Sequence, residues 1–215
     1  MSRWIDRLPL GTAVLFAVFL SVMLSTYLVV KPAAPPTELE GVLRPEFKLL
    51  RPFNLVDHNN VSFNLDNLKN KWSFIFFGYT SCPDVCPATL HTLNVVDGHL
   101  KSAQDELPIN TQVVFVSVDP ERDTTDKLNA YVSFFNDEFV GATSGKQDID
   151  ALSNQFGAGY MLEPESSPGN YIVAHTSAIF LVDPFGRLVA TFSQPHYPEV
   201  ISSQYLQIRD YFIKG

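Results

Sequence analysis

Phe74-Ile-Phe-Phe-Gly78-Tyr-Thr-Ser-Cys82-Pro-Asp-Val-Cys86-Pro-Ala88 is the stretch from which this chain is best read. An apolar, aromatic-rich run from Ser73 to Phe77 stops at a glycine and enters a turn holding two cysteines, the only two in 215 residues. Such an unbroken apolar run fits a central strand covered on both faces. Pro87 has no N–H and is tolerated only in the first helical turn, so a helix should follow with its N-cap between Asp84 and Cys86. Cys86 then sits at a helix N-terminus and Cys82 in the entering turn. Both sulfurs can face one point, to bind one ion or to pair as a disulfide. The partial positive charge of the helix end favours thiolate over thiol.

Working outward, Leu90, Leu93, Val96 and Leu100 keep helical spacing, so the helix from Ala88 to about Ala103 packs one face on the sheet. His91 and His99 fall off that stripe and are expected in solvent, with a minor ligand role as the alternative for His91, five residues past Cys86. Upstream, Phe53 to Phe63 alternates around Asp57-His-Asn-Asn, a hairpin with His58 at its solvated tip. Downstream, Gln112 to Val118 is a second buried strand that ends at Asp119-Pro120. Thr124 or Thr125 can cap a helix with Leu128, Tyr131, Val132 and Phe135 on its apolar face. A brief strand at 139–143 and a helix from Ile149 to Phe156, stopped by Gly157, come next. Glu163 to Asn170 reads as a loop. Tyr171 to His175 leads into a hairpin of Ser177–Asp183 and Arg187–Phe192 across Pro184-Phe-Gly186, and an amphipathic helix from Glu199 to about Ile213 closes the chain. His196 reads as an ordinary loop histidine. Alternating strand and helix followed by a hairpin and helix describes an α/β mixed sheet flanked by helices. Sites in such sheets form at the carboxyl ends of the parallel strands, where both Cys82 and Asp119 emerge.

Leu10 to Val30 is a run without a charge, long enough to cross a hydrocarbon core of roughly 30 Å as a helix. It lacks the small-residue cut site of a cleaved signal peptide and reads as an uncleaved transmembrane anchor over about 10–30. Arg3 and Arg7 precede it and only Lys31 directly follows, which places the N-terminus in the cytoplasm and the main domain in an oxidising compartment. Residues 1–31 thus form the cytoplasmic end and anchor, 32–44 a proline-rich linker, and 45–215 the main domain. Residues 1–31 carry a net +2, which leaves −10 on the rest against a total of −8. So acidic a domain, with no basic run, is a poor nucleic-acid binder.

Two cysteines in an oxidising compartment read most plainly as a structural disulfide. Against it, the Cys82–Cys86 loop is very small, which limits the entropic gain, and the pair sits where a helix end activates sulfur. A zinc ribbon needs two further ligands at set spacing. A thioredoxin-type dithiol has two intervening residues where this chain has three.

Three motifs in order, Gly78-Tyr-Thr-Ser-Cys82-Pro-Asp-Val-Cys86-Pro, Val116-Ser-Val-Asp119-Pro-Glu-Arg-Asp123-Thr and His175-Thr-Ser-Ala-Ile-Phe-Leu-Val-Asp183-Pro-Phe-Gly, resemble the Sco/SenC family over roughly residues 45 to 213. The resemblance implies a thioredoxin-like fold, a membrane tether, and one copper, as Cu(I) or Cu(II), bound by the thiolates of Cys82 and Cys86 and the imidazole of His175. It implies a metallochaperone assisting assembly of the CuA site of cytochrome c oxidase. Its partners would be the copper-accepting oxidase subunit or another copper chaperone, and it would sit in the cytoplasmic membrane facing the periplasm, or the intermembrane space in a mitochondrion. Many members carry an aspartate where this chain has Ala174, so a carboxylate there would be missing or supplied by another residue. Asp119 is a candidate for the surrounding shell, orienting the cysteine turn or moving protons, with plain loop capping as its alternative. Soft thiolates hold Cu(I), and an imidazole makes Cu(II) tolerable. The competing readings are a thiol-disulfide reductase that uses only Cys82 and Cys86 as redox residues, which would make the protein an enzyme, and a redox or copper sensor.

Overall fold

A computed structural model describes residues 10–29, 36–103, 110–164, 167 and 171–214. Leu10–Val29 forms one uncharged helix (α1) of 20 residues. Its described side chains, residues 11–25, are all exposed. Among the described residues no helix is long and apolar enough to cross a membrane.

The main domain is built on one eight-stranded sheet, in the order β1-β10-β9-β4-β5-β6-β2-β3. In chain order these strands are β1 (Leu43–Leu49), β2 (Asn54–Asp57), β3 (Ser62–Asn64), β4 (Trp72–Gly78), β5 (Thr111–Ser117), β6 (Val140–Thr143), β9 (Ile179–Val182) and β10 (Arg187–Phe192). β7 (Tyr160–Leu162) and β8 (Val173–His175) form a separate two-stranded antiparallel ribbon. The helices are α2 (Val85–Ser102), α3 (Thr125–Phe135), α4 (Lys146–Phe156) and α5 (Pro198–Lys214).

All seven residues of β4 are buried, as a strand covered on both faces requires. Phe74 and Phe76 point to one face, where Phe74 meets Tyr205 of α5 at 5.4 Å and Phe76 meets Phe115 at 6.1 Å. Phe77 points to the other, where it meets Phe156 of α4 at 5.2 Å. Helices therefore cover both faces, each large side chain contributing about 1.5–3 kcal/mol of burial. α4 ends as expected at Gly157, whose φ of 73° is a left-handed cap that favours glycine, but it begins at Lys146, a turn earlier than its apolar pattern shows. The hairpins around His58 and Gly186 also form as read. His58 is not simply solvated: its Nδ1 accepts from the Gly141 N–H at 3.0 Å, which ties the hairpin to β6.

Three strands escaped the sequence reading. β1 pairs with β10 at the sheet edge; Leu43, Pro45, Phe47 and Leu49 alternate with Arg44, Glu46 and Lys48, but the proline interrupts the run and the stretch up to residue 44 reads as linker. Within the stretch read as linker, Thr37–Leu39 form a turn of 3₁₀ helix with Leu39 buried, and β1 starts at Leu43. Residues 32–35 of that stretch lie outside the described residues. β7 and β8 were invisible because Tyr160-Met-Leu and Val173-Ala-His are too short to carry a period.

Pairing directions place the site. β4 runs parallel to β5 with Gly78 opposite Ser117, so the turn after β4 and Asp119 after β5 emerge side by side. β9 runs antiparallel to β4 with Ile179 opposite Phe76, so the residues just before β9, His175 among them, arrive at that same end.

Candidate metal centre

Cys82, Cys86 and His175 converge, their donor atoms all lying within 4.8 Å of one another. Both cysteines are free thiols, so the structural-disulfide alternative is not the state of this structure. The helix begins at Val85 with Asp84 as N-cap, and Cys86 occupies its first turn, fully buried. Cys82 is half-buried in the entering turn, and its Sγ accepts from the Cys86 N–H at 3.5 Å. Gly78 makes room for this arrangement. A Cβ on residue 78 would stand 2.6 Å from Cys86 Sγ and 2.8 Å from a Phe115 ring carbon, too close for any side chain without displacement.

His175 closes the third side. Its Nε2 lies 3.3 Å from Cys86 Sγ, while its Nδ1 donates to the Thr176 carbonyl at 3.1 Å. That bond sets the tautomer and leaves the Nε2 lone pair aimed at the sulfurs. The rings of Phe76 and Tyr79 each meet the imidazole edge-on at 5.9 Å and hold its plane.

The two sulfurs share one proton unequally. Cys82 is pulled down to about 4, first by the hydrogen bond from the Cys86 thiol, against the opposing effect of burial, and then by the N–H groups of Asp84 and Cys86. Cys86 is pushed up by that same hydrogen bond and by its burial. The negative charge therefore rests on the more exposed sulfur. From the sequence, the helix end favours thiolate in the pair as a whole; in the fold the hydrogen bond between the two sulfurs and then the burial of Cys86 put it on Cys82.

The residues after β5 hold the site from two sides. Asp123, buried, accepts from the Thr80 N–H at 2.9 Å, the Thr80 hydroxyl at 2.5 Å and the Ser117 hydroxyl at 2.6 Å, and so anchors the cysteine turn. Asp119, also buried, accepts from the Tyr171 hydroxyl at 2.6 Å and from Arg122 Nε. Orienting the cysteine turn, the role anticipated for Asp119, thus falls in this geometry to Asp123. Sequence reasoning missed Asp123, Tyr171 and Arg122; the Asp-Pro-Glu-Arg-Asp spacing was visible, but not which carboxylate faces which loop. Ala174 is exposed and leaves no carboxylate at that position. His91 is exposed, while His99 Nδ1 lies 3.3 Å from the Ser202 hydroxyl and His196 Nε2 3.3 Å from the Phe192 carbonyl. None of the three is grouped with the thiols.

A family profile described as SCO1/SenC matches residues 43–208. The chain belongs to the SCO1/SenC family. An SCO2-like protein of Rickettsia felis is 33% identical over 180 residues, covering 81% of this chain and 85% of that one. Among solved structures, Arabidopsis thaliana ScoI with copper bound superimposes with a TM-score of 0.69 at 29% identity, over 75% of this chain and 98% of the other. Bradyrhizobium japonicum ScoI with copper bound gives 0.65 at 31% identity, over 76% and 99%. The described main domain is thus a thioredoxin-like Sco fold, with a Cys-Cys-His group that can hold one metal ion. Two thiolates and one imidazole form a soft donor set without a carboxylate, which suits copper better than magnesium or calcium.

Proposed function

We propose that this SCO1/SenC chain is a membrane-anchored copper metallochaperone that carries one copper between Cys82, Cys86 and His175 and assists assembly of the CuA site of cytochrome c oxidase. The convergence of those three donor atoms within 4.8 Å carries the reading. Copper is the cargo. A half-exposed Cys82 gives an incoming thiolate a face from which to compete for it, while the buried Cys86 keeps the ion from leaving to water. Copper-bound relatives in Arabidopsis and Bradyrhizobium support the choice of metal. The acceptor would be the copper-receiving oxidase subunit or another copper chaperone. The support for an anchor at the cytoplasmic membrane, with the domain in the periplasm or in the intermembrane space of a mitochondrion, is the uncharged sequence run Leu10 to Val30 with Arg3 and Arg7 before it and Lys31 after it.

A second reading, a thiol-disulfide reductase for the oxidase cysteines, is favoured by the lowered pKa of Cys82 beside a protonated partner, the pairing that such chemistry uses. His175 separates the two. His175→Ala leaves both thiols and the helix end intact, so the dithiol should still cycle, whereas Cu(II), which prefers nitrogen ligation, should bind about 100-fold more weakly and Cu(I) much less so. Cells lacking the native protein and supplied with His175→Ala at equal abundance should then fail to mature the oxidase without added copper. Full oxidase activity in those cells would defeat the chaperone reading and favour the reductase.

A further inference from the structure

The ribbon β7–β8 that carries His175 is not part of the main sheet, so something else must hold the imidazole against the sulfurs. On its inner side Gly159 and Thr176 clasp each other, with Thr176 N–H donating to the Gly159 carbonyl at 2.9 Å and Gly159 N–H to the Thr176 side-chain hydroxyl at 3.0 Å. On its outer side stand Asp119 and Arg122. Arg122 Nη1 donates to the Tyr171 carbonyl at 2.9 Å, and its guanidinium lies over the Tyr171 ring, 3.6 Å from the centroid, and 5.5 Å from that of Tyr79. Asp119 binds the same arginine and the Tyr171 hydroxyl, so Tyr171 is gripped at its carbonyl, ring face and hydroxyl at once. Tyr79 completes the chain, with the guanidinium on one side and its ring edge against His175 on the other. Guanidinium stacking and a fork of N–H donors are what distinguish arginine from lysine here.

We propose that Asp119 and Arg122, acting through Tyr171, are positioning residues that latch the His175 ribbon to the rigid end of β5. They touch no ligand atom. They set how firmly the imidazole is presented, and so how far the site favours the three-donor state that Cu(II) needs over the two-thiolate state sufficient for Cu(I). The copper consequence rests on the metallochaperone reading; the latch itself does not.

Amide hydrogen exchange in the metal-free, reduced protein tests the latch without copper. In Arg122→Ala the amides of β7, β8 and Thr176 should exchange about tenfold faster, with β4 and β5 unchanged, because only the local opening is made easier. Tyr171→Phe, which keeps the ring and loses only the hydroxyl bond to Asp119, should shift them the same way by less, and Arg122→Lys should recover part of the loss. With Cu(II) loaded, Arg122→Ala should weaken the sulfur-to-copper charge-transfer band and lower Cu(II) affinity about tenfold, with Cu(I) affinity within about twofold. Unchanged ribbon exchange in both Arg122→Ala and Tyr171→Phe, or acceleration spread evenly over β4 and β5, overturns the proposal. Local acceleration in a protein that binds no copper at all would keep the latch and defeat the metallochaperone reading.

Discussion

The cysteine turn and the His175 ribbon meet at one point but are held there by different means. The turn leaves β4, whose seven residues are buried and which pairs with β5 along its whole length. Its position is fixed by core packing and by the carboxylate of Asp123. The ribbon is two strands of three residues outside the main sheet, with Met161, Leu162 and Ile172 exposed. Two-stranded ribbons are marginal on their own, so its placement depends on the burial of Val173 and Tyr171 and on the few polar contacts that tie it down. The lesson is a division of labour. The thiolates are presented by a part of the fold that can hardly move, the imidazole by a part that can.

That contrast can be attacked from its rigid side first. Gly78→Ala puts a methyl group 2.6 Å from Cys86 Sγ and 2.8 Å from Phe115 in packing with no slack. It should cost about 1–3 kcal/mol of stability and displace Cys86, visible as a lowered midpoint in denaturant with an unchanged slope. A variant as stable as the parent would mean that the turn yields more easily than its burial implies.

Asp123→Asn should be milder. It keeps the shape but loses the charge that accepts from the Thr80 N–H, the Thr80 hydroxyl and Ser117, and about 1–2 kcal/mol is expected, charged hydrogen bonds contributing more than neutral ones. Faster hydrogen exchange should be confined to the turn from Tyr79 to Cys86. If the β7–β8 ribbon loosened as well, the two regions would not be separately held.

The smallest perturbation is pH. Because the pKa of Cys82 is lowered to about 4, its thiolate is the form present at pH 5 to 7, and it is lost as the pH falls through about 4. Alkylation of the reduced, metal-free protein should therefore modify Cys82 before Cys86, at a rate nearly flat down to about pH 5 and falling below it, where an ordinary thiol would slow tenfold for each pH unit below about 8.5. Preferential labelling of Cys86 would reverse the assignment of the charge.

Much of the framework was legible in the residues. The apolar runs Ser73–Phe77 and Gln112–Val118 are long enough that only a doubly covered strand accommodates them, and Pro87 left little choice for the helix start. Cys82, Cys86 and His175 were identified as a set through three motifs matching the Sco/SenC pattern rather than through periodicity, and the structure brings those three together. β7 and β8 were not legible, since a three-residue strand carries no period for a local reading to detect, whereas β1 does alternate and was hidden only by Pro45 and the proline-rich stretch before it.

Sequence alone therefore determined which elements exist where hydrophobic patterning is strong, and which residue types are available as soft donors. Only the tertiary structure decided which carboxylate holds which loop and which sulfur carries the charge. Asp119 and Asp123 are four residues apart in one motif, yet one grips the histidine ribbon and the other the cysteine turn, because strand pairing brings different loops to each. Cys86 has the better helix position and Cys82 the better exposure. Solvation of a charge depends on everything packed around it, and that packing is a property of distant segments meeting in space rather than of the order of residues along the chain.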